Sequence, residues 1–237
     1  MAFFARTSTA RLLRPKSSVW RVALLALLAV MALPVALVPV YAVVDPVSTP
    51  MLARWLTGRP VDRTWTPLER MSPVLVRSVL VSEDARFCQH DGVDWGAIRT
   101  VFDEGGDGGP GRGASTIAMQ VAKNLFLWQG GAYLRKPFEI ALAYWLDLVW
   151  SKRRVMEVYL NIAEWGPDGI FGAEAGARRA FGKPAQKLSA REAALMAAAL
   201  PNPILRDPKR PSRRAQLHAT IVASRARAAG GLAGCLK

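Results

Sequence analysis

The sequence predicts a mostly α-helical domain carried behind one membrane-crossing helix. Three observations predict this class. An uncharged apolar run lies near the N-terminus, apolar residues return at three- and four-residue intervals between recognisable caps, and period-two alternation is nowhere sustained.

The run from Val22 through Val44 contains no charged residue. About 20 apolar residues cross a hydrocarbon core of roughly 30 Å as a helix. Pro34 and Pro39 fall inside it, a placement that membrane helices tolerate better than soluble ones. Arg6, Arg11, Arg14, Lys16 and Arg21 all precede the run, and no acid does. The positive-inside rule then keeps the N-terminus cytoplasmic, with the body beyond the inner (cytoplasmic) membrane. A cleaved signal peptide is the other reading, with Leu24–Leu33 as its apolar core and Val40-Tyr41-Ala42 as a cleavage site. Both readings place the body outside the cytoplasm. The chain divides into a basic segment (1–21), a transmembrane helix (22–44), a linker (45–69), a helical domain (70–205) and a basic tail (206–237).

Helix signals follow in order. Ser72-Pro73 reads as a cap and first helical position for the apolar stretch that ends at Glu83. Trp95–Phe102 has helical spacing. The Gly/Asp-rich segment 103–113 suits neither helix nor strand, and reads as a lid over a cleft or as a plain connector. Ser115 begins a helix with Ile117, Val121 and Leu125 on one stripe. Tyr133–Trp150 and Lys152–Ile162 are helical, Trp165–Gly169 is a turn, and Ala173–Phe181 is a small-residue helix stopped by Gly182. Ser189 and Glu192 form a capping box for the Ala-rich helix that runs to Leu200. The tail reads as amphipathic or partly disordered.

The net charge of +14 sits at the ends. Residues 1–44 hold five cations, and residues 206–237 hold eight against Asp207 alone, which leaves +2 for residues 45–205. A nearly neutral centre excludes the usual nucleic-acid-binding domain, and basic ends suit anionic membrane lipids. Cys88 and Cys235 are the only cysteines and His90 and His218 the only histidines, without metal-ligand spacing. A bridge between cysteines so far apart, one of them in a Gly/Ala-rich tail, is not expected.

The chemistry concentrates in Glu83-Asp84-Ala85-Arg86-Phe87-Cys88-Gln89-His90-Asp91-Gly92. Burial that ends abruptly at a carboxylate is a setting that turns it into a working acid or base. Further on, Gln120, Lys123 and Asn124 share a polar face, and Arg135 and Glu139 stand at i and i+4, the spacing of a helix-surface ion pair.

Five blocks in order resemble the glycosyltransferase family that polymerises peptidoglycan. They are Glu83-Asp-x-x-Phe87-x-x-His90-x-Gly92; Gly113-x-Ser115-Thr116-Ile117-x-x-Gln120-x-x-Lys123-Asn124; Arg135-Lys136-x-x-Glu139; Lys152-x-x-x-x-Glu157-x-Tyr159-Leu160-Asn161; and Leu188-Ser189-x-x-Glu192-Ala193-Ala194. The resemblance covers roughly residues 70–205. The second block departs from the family's paired glutamines, with Met119 before Gln120, and a thioether lacks the amide's donors.

The resemblance implies a two-lobed, lysozyme-like helical domain with a cleft between its lobes. It implies lipid II and a growing lipid-linked glycan strand as substrates, with Glu83 as base and Glu139 as a second catalytic carboxylate. Lys123, Arg135, Lys136 and Lys152 become candidates to bind a departing diphosphate, and Ser115, Thr116, Gln120 and Asn202 to hydrogen-bond sugar or phosphate. Glu139 either orients the cations or ligates a divalent metal, Mg²⁺ or Mn²⁺; no cofactor is otherwise implied. For Glu157, Tyr159 and Asn161, lobe packing and substrate contact both stay open. Cell-wall synthesis or division proteins are the expected partners. No Ser-x-x-Lys occurs, so the monofunctional form without transpeptidase activity is expected. A lysozyme-like hydrolase and an inactive wall-binding scaffold are the alternatives.

Overall fold

The computed structural model describes residues 17–104 and 114–237. The apolar run forms α1 (Ser17–Tyr41), 25 residues that begin before Val22 and end before Val44. An 18-residue stretch within it has a mean hydropathy of 2.6, and the helix is long enough to cross a membrane. Pro39 has no N–H, so the carbonyl of Val35 lacks its intrahelical donor. Trp145 Nε1 donates to that carbonyl at 3.0 Å, and Trp150 Nε1 donates to Val38 O at 2.7 Å. Both tryptophans belong to α6 (Ala132–Val149) and its C-cap. Arg154 adds donors to the carbonyls of Tyr41 (3.1 Å) and Val44 (2.7 Å), so the foot of α1 is tied to the body by hydrogen bonds.

The expected linker holds structure of its own. Ser48 caps α2 (Thr49–Leu56), and the Thr49 hydroxyl donates to Asn124 O at 3.2 Å and Leu127 O at 2.8 Å, at the end of α5 (Ile117–Phe126). A small sheet follows, in the order β1-β3-β2. β1 (Asp62–Arg63) pairs parallel with β3 (Ile170–Phe171), with Asp62 opposite Ile170, and β2 (Glu164–Gly166) pairs antiparallel with β3. Strands of two and three residues are too short to leave an alternating pattern in sequence. The turn between β2 and β3 uses left-handed backbone at Asp168 and Gly169.

Helices predominate and fall into two groups. In one, α3 (Pro73–Glu83), α9 (Ala190–Ala199) and α10 (Arg213–Ala228) pack together. α9 is buried from Ala193 to Ala199, and its short side chains let both neighbours approach closely. In the other, α5, α6 and α7 (Lys152–Ile162) pack together. α4 (Trp95–Glu104) follows the loop after α3, and α8 (Ala173–Phe181) lies against the sheet. One continuous core of Leu75, Val79, Ile117, Met156, Trp165 and Met196, among others, joins the groups.

Several expectations change. The cap of α5 is Thr116, one residue after Ser115, with its Oγ1 accepting from Met119 N. Ser72 occupies the cap position of α3 but its hydroxyl donates instead to Leu188 O at 3.4 Å. The tail is no loose appendage: α10 buries Ala215, Ala219, Val222 and Ala226, and Leu236 is buried beyond it. Cys88 and Cys235 are disulfide-bonded, 147 residues apart, with Cα atoms separated by 5.7 Å. The expectation against this bridge is corrected. The fold brings the chain end back over the loop that follows Glu83, and Arg153 holds it there by donating to Leu236 O at 2.9 Å. Residues 105–113 of the proposed lid or connector, and most of the basic segment 1–21, lie outside the described residues.

Candidate active site

Glu83 is the last residue of α3 and stands where the two groups of helices meet. Its Oε2 accepts from Gln120 Nε2 at 3.1 Å, and its Oε1 accepts from Ser82 Oγ at 3.1 Å. Burial pushes its carboxyl above the ordinary carboxylate range; the Gln120 and Ser82 hydrogen bonds and the charges of Lys123 and Arg206 oppose that rise. The Gln120 amide is oriented by Tyr159, whose hydroxyl donates to Gln120 Oε1 at 3.0 Å. Tyr159 is itself buried, which raises its phenol well above its usual range, with the Glu83 and Asp84 charges adding to the effect. It therefore stays a neutral donor.

Asp84 has a different task. Its Oδ2 accepts from Ile117 N, the first amide of α5, at 2.9 Å, and His90 Nε2 lies 3.0 Å from its Oδ1. The buried carboxylate thereby fixes the start of α5 relative to the end of α3, close to where a helix N-terminus favours negative charge. Gly92 follows with φ +84°, and a side chain there would meet Ala143 O of α6 at 2.5 Å. Only glycine fits that approach.

Across from Glu83 lies a cationic cluster around Glu139, which is 3% exposed. Arg135 Nε donates to Glu139 Oε1 at 2.5 Å, and Lys136 Nζ donates to Oε2 at 2.9 Å and to Ser115 Oγ at 2.6 Å. Arg135 also donates to the Trp128 and Gly130 carbonyls. Lys123 completes the cluster: burial lowers its pKa, the Glu139 and Glu83 charges oppose this, and Arg135 and Lys136 reinforce it. Arg135 and Lys136 thus share one buried carboxylate, with Lys123 in the field of all three, an arrangement that attracts an anion. Both oxygens of Glu139 accept from cations, and among the described residues no three His, Cys, Asp or Glu converge on a metal position. The donor set does not fit a metal held by Glu139, and the orienting role is the one its contacts support.

A cleft of about 230 Å³ is lined by Gln120, Lys123, Asn124, Gln129, Tyr159 and Glu164, among others. Larger grooves, of about 570 and 330 Å³, lie against α10. Chemistry, rather than size, singles out the smaller cleft.

Not every expected residue joins this site. Lys152 pairs with Asp147 at 2.6 Å, donates to the His90 carbonyl and lies over the Phe87 ring, so it braces the loop after Glu83. The hydroxyl of Thr116 is taken up by its capping bond and by donation to Gly92 O at 2.5 Å. Asn202 is exposed, and its Oδ1 accepts from Leu205 N at 3.1 Å, although Pro201 and Pro203 beside it line the cleft. Asn161 and Glu157 bind the 66–68 segment: Asn161 exchanges hydrogen bonds with Thr66 N and O, and Glu157 accepts from Leu68 N. Met119 is fully buried in the core, so no amide at that position is directed at the cleft. Arg206 and Glu164 were missed by sequence reasoning. Arg206 lay among the charges of a presumed tail. Glu164, whose carboxyl burial raises, belongs to a strand without a sequence signal.

The match to known proteins covers most of the chain. Residues 50–227 fit the family model described as Transglycosylase. A protein of Rhodopseudomonas palustris (strain HaA2) is 55% identical over 210 residues, which is 88% of this chain and 92% of that one. One from Agrobacterium fabrum is 54% identical over 90% of this chain and 95% of its own, and one from Brucella suis is 53% identical over 91% and 97%. All three are named biosynthetic peptidoglycan transglycosylase. With more than half its length inside the model and relatives above one-half identity, the chain belongs to the transglycosylase family.

Proposed function

We propose that the protein polymerises lipid II into peptidoglycan glycan strands by inverting glycosyl transfer. The observation that carries this reading is a cleft lined by Gln120 and Lys123, in which Gln120 holds the proton-attracting carboxylate of Glu83 and Lys123 lies in the field of both Glu83 and Glu139. The acceptor's GlcNAc 4-hydroxyl attacks C1 of the donor's MurNAc as the bond from C1 to the diphosphate oxygen breaks. Glu83 takes the hydroxyl proton, and undecaprenyl diphosphate leaves with the bonding electron pair. A positioned base of this kind contributes ~10²–10⁴-fold. Charge grows on the diphosphate as the bond breaks, so Lys123, Lys136 and Arg135 stabilise the transition state more than the ground state. Glu139 keeps the two flanking cations in place. A glycosidase would need no such cluster and would pair its acid with a second working carboxylate.

The anchor suits lipid-linked substrates. Tethering by α1 keeps the cleft at bilayer level and raises the effective substrate concentration. Exposed Leu134, Phe138 and Leu148 on α6, the helix bonded to α1, support the same placement, with the body on the extracytoplasmic side of the inner membrane. No Ser-x-x-Lys nucleophile motif occurs in the sequence, so glycan extension without cross-linking is the activity proposed.

The test is incubation of the purified protein with labelled lipid II, followed by muramidase digestion. Muramidase-sensitive polymer is expected, and Glu83→Gln should reduce its rate at least 10²-fold, the lower end of the ~10²–10⁴ range. Undiminished polymerisation by that variant removes Glu83 as the base. Breakdown of preformed glycan would instead indicate a hydrolase, and no change in either substrate a scaffold.

A further inference from the structure

A second, larger concave surface lies outside the cleft. One groove, of about 570 Å³, runs between α9 and α10 and is lined by Arg191, Arg213 and Arg227. Another, of about 330 Å³, opens between α3, α9 and α10 and is lined by Arg77, Ser78 and Arg227. Ala190, Ala223 and Arg227 line both, so the two form one continuous trough. It shares no lining residue with the cleft beside Glu83.

Its chemistry is one-sided. Four arginines line it and no acid does. Among the described residues, none of the four forms a salt bridge, whereas Arg135, Arg153, Arg154, Arg178 and Arg179 each have a carboxylate. The acid nearest in sequence, Glu192, is already held by Lys183 and Ser189. Independently, Ser78 is fully buried, lines the trough, and has no hydrogen-bond partner for its hydroxyl. A buried polar group without a partner is unfavourable, and native structures rarely leave one unless something else binds it. A hydroxyl donor and guanidinium forks lining one trough are a donor set for tetrahedral oxyanions.

We propose that this trough is a second anion site, which takes a phosphate group between Arg77 and Arg227, with Arg191 and Arg213 holding further negative charge along α10. The phosphate comes from a phospholipid headgroup or from a soluble diphosphate. The site is independent of the chemistry at Glu83, although Ser78 and Arg77 lie on the helix that ends in Glu83.

The experiment uses the full chain in detergent micelles, with Lys123→Ala in every sample to weaken binding at the cleft. Pyrophosphate is titrated by calorimetry, and short-chain phosphatidylglycerol, against phosphatidylcholine, is counted by native mass spectrometry. The double variants Arg77→Ala/Arg227→Ala and Arg191→Ala/Arg213→Ala should each weaken at least one probe by ~10-fold or more, the equivalent of losing one strong charge-assisted contact. Ser78→Ala should weaken the same probe by a smaller factor. Weakening confined to pyrophosphate identifies a soluble diphosphate, weakening confined to phosphatidylglycerol identifies a headgroup, and weakening of both identifies a general phosphate site. Arg191 and Arg213 are exposed, so their removal keeps the test valid if the other pair unfolds. Binding of both probes unchanged in the variants, or absent from the parent, overturns the proposal.

Discussion

Gln120 Nε2 donates to Glu83 Oε2 across 3.1 Å, and Tyr159 decides which end of the amide faces the carboxylate. With its hydroxyl donating to Gln120 Oε1, Tyr159 leaves only the NH₂ end for Glu83. This bond favours the charged carboxylate and opposes the rise that burial imposes. A base must be ionised to work, so activity should climb with pH as Glu83 loses its proton, at a pH above the ordinary carboxylate range. Gln120→Leu removes the opposing bond, so the acidic limb of the kcat/KM profile should move to higher pH. Tyr159→Phe frees the amide to turn and should move the limb the same way by less. A profile that stays put in both variants would show that the amide does not govern ionisation of the base.

Removing one partner of a buried ion pair destabilises by ~3–5 kcal/mol, because the remaining charge stays buried. Glu139→Gln leaves Arg135 and Lys136 without their shared carboxylate. The variant should melt well below the parent, and pyrophosphate should raise its Tm more than it raises the parent's, since an anion restores what the carboxylate supplied. Equal pyrophosphate shifts would mean that the cluster does not receive phosphate.

Asn161 makes the opposite case, a polar motif residue whose contacts are all structural. It is fully buried and hydrogen-bonds Thr66 N at 2.8 Å, Thr66 O at 2.9 Å and Glu157 O at 2.8 Å. Asn161→Ala abandons a buried amide and carbonyl, each at about 1–3 kcal/mol. Unfolding measurements should show a loss of that order, while KM for the remaining folded enzyme stays within about two-fold. A large rise in KM with unchanged stability would restore the substrate-contact reading.

These contrasts locate what a sequence reveals. Helices with long apolar stripes and caps, such as α7 after Ser151 and α9 with its Ser189–Glu192 box, announce themselves because their determinants are local. So does the position of Glu83 at the end of an apolar helix. The partners of polar residues are set by tertiary approach, and spacing alone does not assign them. Lys136 reaches Ser115 and Glu139, while Lys152, equally cationic in sequence, meets Asp147 and the loop. Arg206 acts on Glu83 only because the segment after α9 folds back, a step that composition disguises as a basic tail. The two- and three-residue strands carry too little pattern to be seen at all.

The bridge from Cys88 to Cys235 depends on the same return of the chain. Cross-linking residues 147 positions apart removes many conformations from the unfolded chain, and native disulfides typically contribute 2–4 kcal/mol, with ~5 the upper end. Cys88 also sits in the short helical turn Phe87–Gln89, between Asp84 and His90, so the bridge fastens the loop that holds the start of α5. Cys235→Ser should lower the Tm, and reductant should lower the parent's Tm to about the same value while leaving the variant's unchanged. Polymerisation at temperatures below the variant's transition should stay within about ten-fold of the parent's, because the Asp84 hydrogen bond to Ile117 N survives without the bridge. If reductant does not change the parent's Tm, the bridge contributes nothing to holding the C-terminus on the catalytic body, and the packing of α10 and Leu236 alone accounts for that docking.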